Sequence, residues 1–265
     1  MMSNVLDRIR SEHPLVICFT NDVVKNFTAN GLLSLGASPA MSEAPQEAKD
    51  FYPHAGAVLI NIGTLTKDTE HAMLAVGKIA NETNTPLVFD PVAVGASQYR
   101  KNFCKYFLKK IRPTVIKGNA SEILTLIDDS TTMKGTDSDE SLDVVSIAEK
   151  AHEQYQTAIV LTGETDVIAH NNKVIKLNNG SRFLTQITGA GCLLGAVVGA
   201  FLFRNENPDI YDLAEAVSVY NVAAERAEQL SETKGPGTFL VQFIDALYRI
   251  DHDAVVQNSK VQEVQ

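Results

Sequence analysis

The sequence predicts a three-layer α/β fold, with a mainly parallel central sheet and helices on both faces. Two observations carry that prediction. Continuous apolar, β-branched runs recur at Leu15 to Phe19, Ala57 to Gly63, Pro86 to Asp90, Thr114 to Gly118 and Ala158 to Gly163. Unbroken rather than alternating apolarity marks strands covered on both faces. Helix-length segments lie between them, such as Lys67 to Asn81, Lys101 to Ile111 and Ser141 to Tyr155, and the alternation reads as repeated βαβ units.

The pattern changes after Gly163. The runs "DVIAH" and "KVIKL" flank Asn171-Asn172, a pair that tolerates the positive φ angles of a tight hairpin, so antiparallel strands should extend the sheet here. The remainder is helical. Leu213, Val217, Tyr220, Ala224 and Ala227 form one apolar stripe; Leu240, Phe243, Leu247 and Ile250 form another after the breaker "KGPG". Residues 251–265 read as a polar C-terminal tail. With no repeat, low-complexity tract or linker-like shift in composition, residues 1–265 are expected to form a single domain.

A net charge of -9, with no block of lysines or arginines, argues against nucleic acid or an anionic membrane as partner, so a bound phosphate must be held locally. Cys18, Cys104 and Cys192 lie far apart without a C-x-x-C pair, which suggests neither disulfides nor a zinc knuckle. The first residues carry charges where a signal peptide needs an apolar core, and Cys192 to Phe203 is too short an apolar stretch to cross a bilayer; a soluble, cytoplasmic protein is expected. The histidines show no metal-binding spacing.

In open parallel sheets ligands bind beyond the carboxyl ends of the strands. The residues there are Thr20-Asn21-Asp22, Asn61-Ile62-Gly63-Thr64, Asp90-Pro91, Lys117-Gly118-Asn119 and Thr162-Gly163, and topology predicts that they share one crevice. The segment "ITGAGCLLGA", Ile187 to Ala196, has two readings. Its glycines expose backbone N–H groups at a helix start, where the dipole attracts a phosphate; or Thr188 caps a buried helix and the glycines ease packing on the sheet. It is neither a Walker loop nor G-x-G-x-x-G.

"NASE", Asn119 to Glu122, reads first as a helix capping box. Its functional alternative has Glu122 and Asp90 ordering water around nucleotide-bound Mg²⁺, an ion usually held by few carboxylates plus phosphates; Asp90 before Pro91 is equally an ordinary turn residue. "TDSDESLD", Thr136 to Asp143, lacks the glycine and glutamate of a calcium loop and reads as a solvated cap for the next helix. "GASPAMSEAP", around Met41, lines a neutral pocket or merely shapes a connection; composition does not choose between them.

Taken in order, "TNDVVKNFTANGLLSLGASPAMSEAPQEA", "NIGTL", "FDPVAVGAS", "VIKGNASEI" and "TGAGCLLG" resemble the hydroxyethylthiazole kinases of the ribokinase-like superfamily, from about Cys18 to Thr238. The resemblance implies Mg²⁺-dependent transfer of a phosphoryl group from ATP to the primary alcohol of 4-methyl-5-(2-hydroxyethyl)thiazole, for thiamine salvage. It places Asn21, Met41 and Gly189 at the substrate, and Lys117, Asn119, Thr162 and Thr188 at ATP. Asp90 and Glu122 fall at the metal, and Gly189, Gly191 and Cys192 at the catalytic turn. It also implies a homotrimer with active sites at subunit boundaries.

Many ribokinase-like kinases have aspartate where this chain has Cys192. Phosphoryl transfer through a loose transition state depends mainly on positioning and charge neutralisation. Cys192 is therefore expected to position the hydroxyl and accept its proton late, not to form a phosphocysteine. Two rivals stand beside this reading: another ribokinase-like kinase, acting on a pyrimidine alcohol, pyridoxal or a sugar, and a nucleotide-dependent sensor without turnover.

Overall fold

A computed structural model describes residues 4–128, 143–231 and 234–264. Among the described residues one sheet of nine strands runs in the order β2-β1-β3-β4-β5-β6-β7-β8-β9. Strands β1 (Leu15–Phe19), β2 (Ser38–Ala40), β3 (Ala57–Asn61), β4 (Leu87–Asp90), β5 (Val115–Asn119) and β6 (Ala158–Thr162) are parallel. Strands β7 (Asp166–His170), β8 (Lys173–Leu177) and β9 (Val261–Val264) complete it antiparallel.

Each predicted run is a strand, and β1, β3, β4 and β5 are almost wholly buried, as two-sided coverage requires. The two faces carry separate cores. Val16, Cys18, Leu59, Val88 and Val115 point to the side of α8 (Ala190–Leu202) and α9 (Ile210–Ser231); Ile17, Ile60, Phe89 and Ile116 point to the side of α4 (Lys67–Glu82) and α5 (Gln98–Lys110). Alternate residues of one strand thus feed opposite layers. The hairpin turn has the predicted backbone, with φ of 50° at Asn171 and 59° at Asn172.

Two strands lay outside the sequence reading. β2, inside the "GASPAMSEAP" segment, carries Pro39, and proline is admissible there because β2 is the sheet's edge. The second lies in the polar C-terminal tail, which composition left without a structure: it forms α11 (His252–Asn258), capped by Asp251, and then β9 on the opposite edge. Polar composition hid it because β9 is only half covered, and side chains from elsewhere hold it down. Asn179 Oδ1 accepts from the Lys260 N–H at 2.6 Å, and Asn179 Nδ2 donates to the Asn258 carbonyl at 2.9 Å.

The helix α7 (Val144–Tyr155) is capped by Asp143, whose side chain accepts from the Ser146 N–H. The rest of the predicted "TDSDESLD" loop lies outside the described residues. Both predicted apolar stripes are buried but for Leu240, on α9 and along α10 (Pro236–Arg249) to its cap at Ile250. No helix among the described residues is long and apolar enough to cross a membrane.

Candidate active site

Chain topology brings the polar strand ends into one row. Asn61 lies opposite Asp90 across β3 and β4, and Asn119 opposite Thr162 across β5 and β6. The helix α8 begins above this row. Gly189 has φ 92° and ψ 0°, a left-handed conformation suited to glycine, and turns the chain into the helix. Thr188 and Gly191 are exposed and Cys192 half-buried, so the helix mouth opens to solvent while its body is buried on all sides. The N-cap is Gly189 and no side chain caps the helix, which corrects the reading of Thr188 as its cap, while the buried helix body agrees with glycines that ease packing on the sheet. A Cβ on Gly195 would approach Leu59 Cδ1 at 3.2 Å and Asp90 Oδ2 at 3.5 Å, so that glycine serves close packing while the earlier ones open the mouth.

Four side chains converge beneath the mouth. Lys117 Nζ lies 3.4 Å from Asp90 Oδ2, both buried. Burial dominates at Asp90 and pushes its carboxyl up to about 6, against the pull of Lys117 and the Asn61 amide. At Lys117 burial opposes the charge, but Asp90, Glu122 and Cys192 together hold the ammonium above its usual value. Asn21 Nδ2 donates to Cys192 Sγ at 3.4 Å. The Cys192 thiol is raised, chiefly by burial and then by Asp90, with Lys117 and two amides only partly offsetting them. Burial and the neighbouring carboxylate thus favour the thiol over the thiolate.

Glu122 closes the capping box of α6 (Ala120–Ile127). Its Oε2 accepts from the Asn119 N–H at 2.8 Å and its Oε1 from the Ala93 N–H at 2.8 Å, while Asn119 Oδ1 caps the Glu122 N–H at 2.8 Å. Both carboxylate oxygens are thus already engaged by backbone. Asp90 differs, since its buried Oδ1 has no hydrogen-bond partner among the described residues. Among the described residues no three acidic, histidine or cysteine side chains form a metal cluster. That donor set fits an ion carried mainly by phosphates and water, with Asp90 as its protein anchor and Glu122 acting by charge.

Met41 follows directly on β2, half-buried against the α8-side core, at the same end of the sheet as Asn21. Lys25 pairs with Asp22 at 2.6 Å and also with Glu43, so one ammonium ties the loop after β1 to the Met41 segment. Thr162 is half-buried at the strand end.

Two residues of the site received no individual role from the sequence, Asn61, placed there only among the strand ends, and Arg100, which was missed. Asn61 is fully buried and hydrogen-bonds Asp90, Asn21 and Gly63. Arg100 donates to the carbonyls of Ile62 at 2.6 Å, Gly63 at 2.7 Å and Val92 at 2.8 Å, fastening the loops after β3 and β4. Position after an apolar strand was a signal for Asn61; nothing local marks Arg100.

A crevice of about 510 Å³ opens at the other end of the sheet, lined by residues including Arg112, His152, His170 and Glu206. It lies by the amino ends of β5 and β6 and lacks the opened helix and the buried ion pair. In open parallel sheets ligands bind at the opposite, carboxyl ends.

The architecture is that of ribokinase-like proteins: a solved ribokinase-like superfamily protein from Enterococcus faecalis V583 superposes with a TM-score of 0.63 at 13% identity, covering 90% of this chain and 88% of that one. Closer matches narrow the class. The family model for the hydroxyethylthiazole kinase family matches residues 6–253, and the chain belongs to that family. It is 79% identical over 263 residues to a hydroxyethylthiazole kinase of Staphylococcus carnosus (strain TM300), covering 99% of this chain and 100% of that one. A solved hydroxyethylthiazole kinase from Pyrococcus horikoshii OT3 superposes with a TM-score of 0.89 at 34% identity, covering 98% of each chain.

Proposed function

We propose that the chain transfers the γ-phosphoryl group of ATP to the primary alcohol of 4-methyl-5-(2-hydroxyethyl)thiazole, the salvage step that returns thiazole to thiamine synthesis. The observation that carries this reading is the Cys192 thiol, held by Asn21 at the open start of α8 and near the buried Asp90–Lys117 pair. Acceptor and phosphate handling thus adjoin.

Met41 and Asn21 frame the thiazole, and the Cys192 thiol orients its hydroxyl. The alcohol oxygen bonds to the γ-phosphorus as the bond to the β-phosphate oxygen breaks, and the hydroxyl proton leaves with the phosphoryl oxygens. The free N–H groups that follow Gly189, including that of Gly191, meet charge on the transferring group, as does Lys117. Asn119, Thr162 and Thr188 contact the rest of the nucleotide. Asp90, with the charge of Glu122 beside it, would hold Mg²⁺, which would supply neutralisation of charge on the phosphates.

The chain also acts as a homotrimer in this reading. Leu33 on α2 (Lys25–Leu35) and Val241 and Tyr248 on α10 are 59%, 59% and 70% exposed, apolar side chains on helices in mutual contact that a subunit interface would cover. Sedimentation at micromolar concentration should return three times the chain mass.

Incubation with the thiazole alcohol and Mg-ATP, followed by mass measurement, tests acceptor, donor and reaction together. The expected product gains one phosphoryl group with stoichiometric ADP. A wide preference for pyridoxal, a pyrimidine alcohol or a sugar refutes the assignment, as does binding without ADP formation.

A further inference from the structure

Asn61 ends β3 with a side chain 0% exposed, and the orientation of its carboxamide is determined by its neighbours. The Gly63 N–H donates to one terminal atom at 3.0 Å, so that atom is the oxygen, because an amide nitrogen cannot accept. The nitrogen therefore faces Asp90 and donates to Oδ2 at 2.8 Å. The oxygen accepts a second hydrogen bond, from Asn21 Nδ2 at 3.1 Å, and the same Asn21 nitrogen reaches Cys192 Sγ at 3.4 Å.

One buried amide thus touches both halves of the site. From these contacts we infer that Asn61 is a positioning residue that locks the acceptor side, Asn21 and Cys192, to the phosphate side, Asp90 and Lys117. Asp90 Oδ2 receives Asn61 and Lys117 together, so the Asn61 donor holds the carboxylate plane that would otherwise turn toward the ammonium alone. Asn21 has Asn61 as its buried acceptor; without it the amide is free to turn from the sulfur. No other side chain of similar shape does both tasks. Leucine offers neither group, and aspartate sets a second carboxylate against Asp90.

The inference rests on the kinase reading, and the test separates the two. Cys18 and Cys104 are 0% exposed and half-buried Cys192 is not, so alkylation of the native protein by iodoacetamide reports on Cys192 without any substrate. Asn61→Leu and Asn61→Asp are compared with wild type in that assay, in kcat and KM, and in the Asp90→Asn background. We expect the Cys192 alkylation rate to change by about threefold or more, and kcat to fall about 100-fold while KM for ATP moves less than about threefold. The Asn61→Leu effect on kcat should shrink to about tenfold or less once Asp90 is already asparagine, because residues acting through one contact are not additive. An unchanged alkylation rate with kcat within about threefold overturns the inference, and so does full multiplication of the two effects. Should Asn61→Leu fail to fold, the near-isosteric Asn61→Asp and Asn21→Ala, which cuts the same link from the other end, decide by the same readouts. If wild type fails to phosphorylate the thiazole alcohol, the kinase reading falls while the alkylation arm still judges the lock.

Discussion

Gly189→Ala should lower both stability and turnover, for reasons that can be sized from the backbone. Gly189 has φ 92°, and a Cβ built on it would lie 2.7 Å from Val24 Cγ1 and 3.2 Å from Phe27 Cδ1. Left-handed backbone costs an L-residue about 1–2 kcal/mol. Forcing a methyl into packed side chains adds about 1–3 kcal/mol. The sum, about 2–5 kcal/mol, is a large part of the about 5–15 kcal/mol that holds a domain folded. At about 2–4 °C per kcal/mol, the midpoint of thermal unfolding should drop by about 4–20 °C. Relief of the clash would push the start of α8 outward, and a displacement of about 1 Å at a reacting centre costs about 100-fold in rate. Gly237→Ala is the control, since nothing lies within 4 Å of its Cβ and it sits in α10; it should be neutral or slightly stabilising. Differential scanning fluorimetry with steady-state kinetics measures both. The reasoning fails if Gly189→Ala melts within about 1 °C of wild type with unchanged kcat, because a substitution costing about 2 kcal/mol cannot hide there.

Three further outcomes follow from the same geometry. Cys192→Ser should keep turnover within about tenfold, because a neutral hydroxyl replaces a neutral thiol, whereas Asp90→Asn should lose about 100-fold or more of kcat; the opposite ranking in kinetic assays refutes the positioning role of the thiol. Asp166, raised from 3.8 to about 6 mainly by burial, binds its proton more tightly folded than unfolded. Its contribution is therefore fully present below about pH 4 and is lost as pH rises through about 6, a swing of about 3 kcal/mol. Relative to wild type, Asp166→Asn should gain about that much between pH 4 and pH 7.5 in urea titrations, and a pH-independent difference disproves it. Asn179→Ala should release the C-terminal segment, since it strands the Lys260 N–H and the Asn258 carbonyl that Asn179 now satisfies, at about 1–3 kcal/mol for each group that stays buried. Amide exchange in residues 252–264 should then accelerate ahead of the rest of the sheet; equal protection in both proteins counts against it.

Local sequence determined the elements whose signal is intrinsic to a few neighbouring residues. Two-sided burial writes itself as unbroken Val, Ile and Leu in β3 and β4, and the hairpin as Asn171-Asn172, because burial and backbone handedness act residue by residue. The site was legible by rank along the strands, since every parallel strand ends at the same side of the sheet. Asp90, Lys117 and Asn21 were found that way and Cys192 from the glycine-rich turn, and the structure brings them together. What tertiary structure alone decided depends on partners far away in the chain. The tail became α11 and β9 because Asn179, from another part of the chain, satisfies its backbone. Glu122 became a doubly engaged cap because Ala93 arrives from another loop, and Asp90 kept an unpaired oxygen because no described residue reaches it. The thiol's pKa is raised for the same reason: the shift comes from burial and from a carboxylate on another strand, and a sequence names residues without the distances that make them electrostatic neighbours.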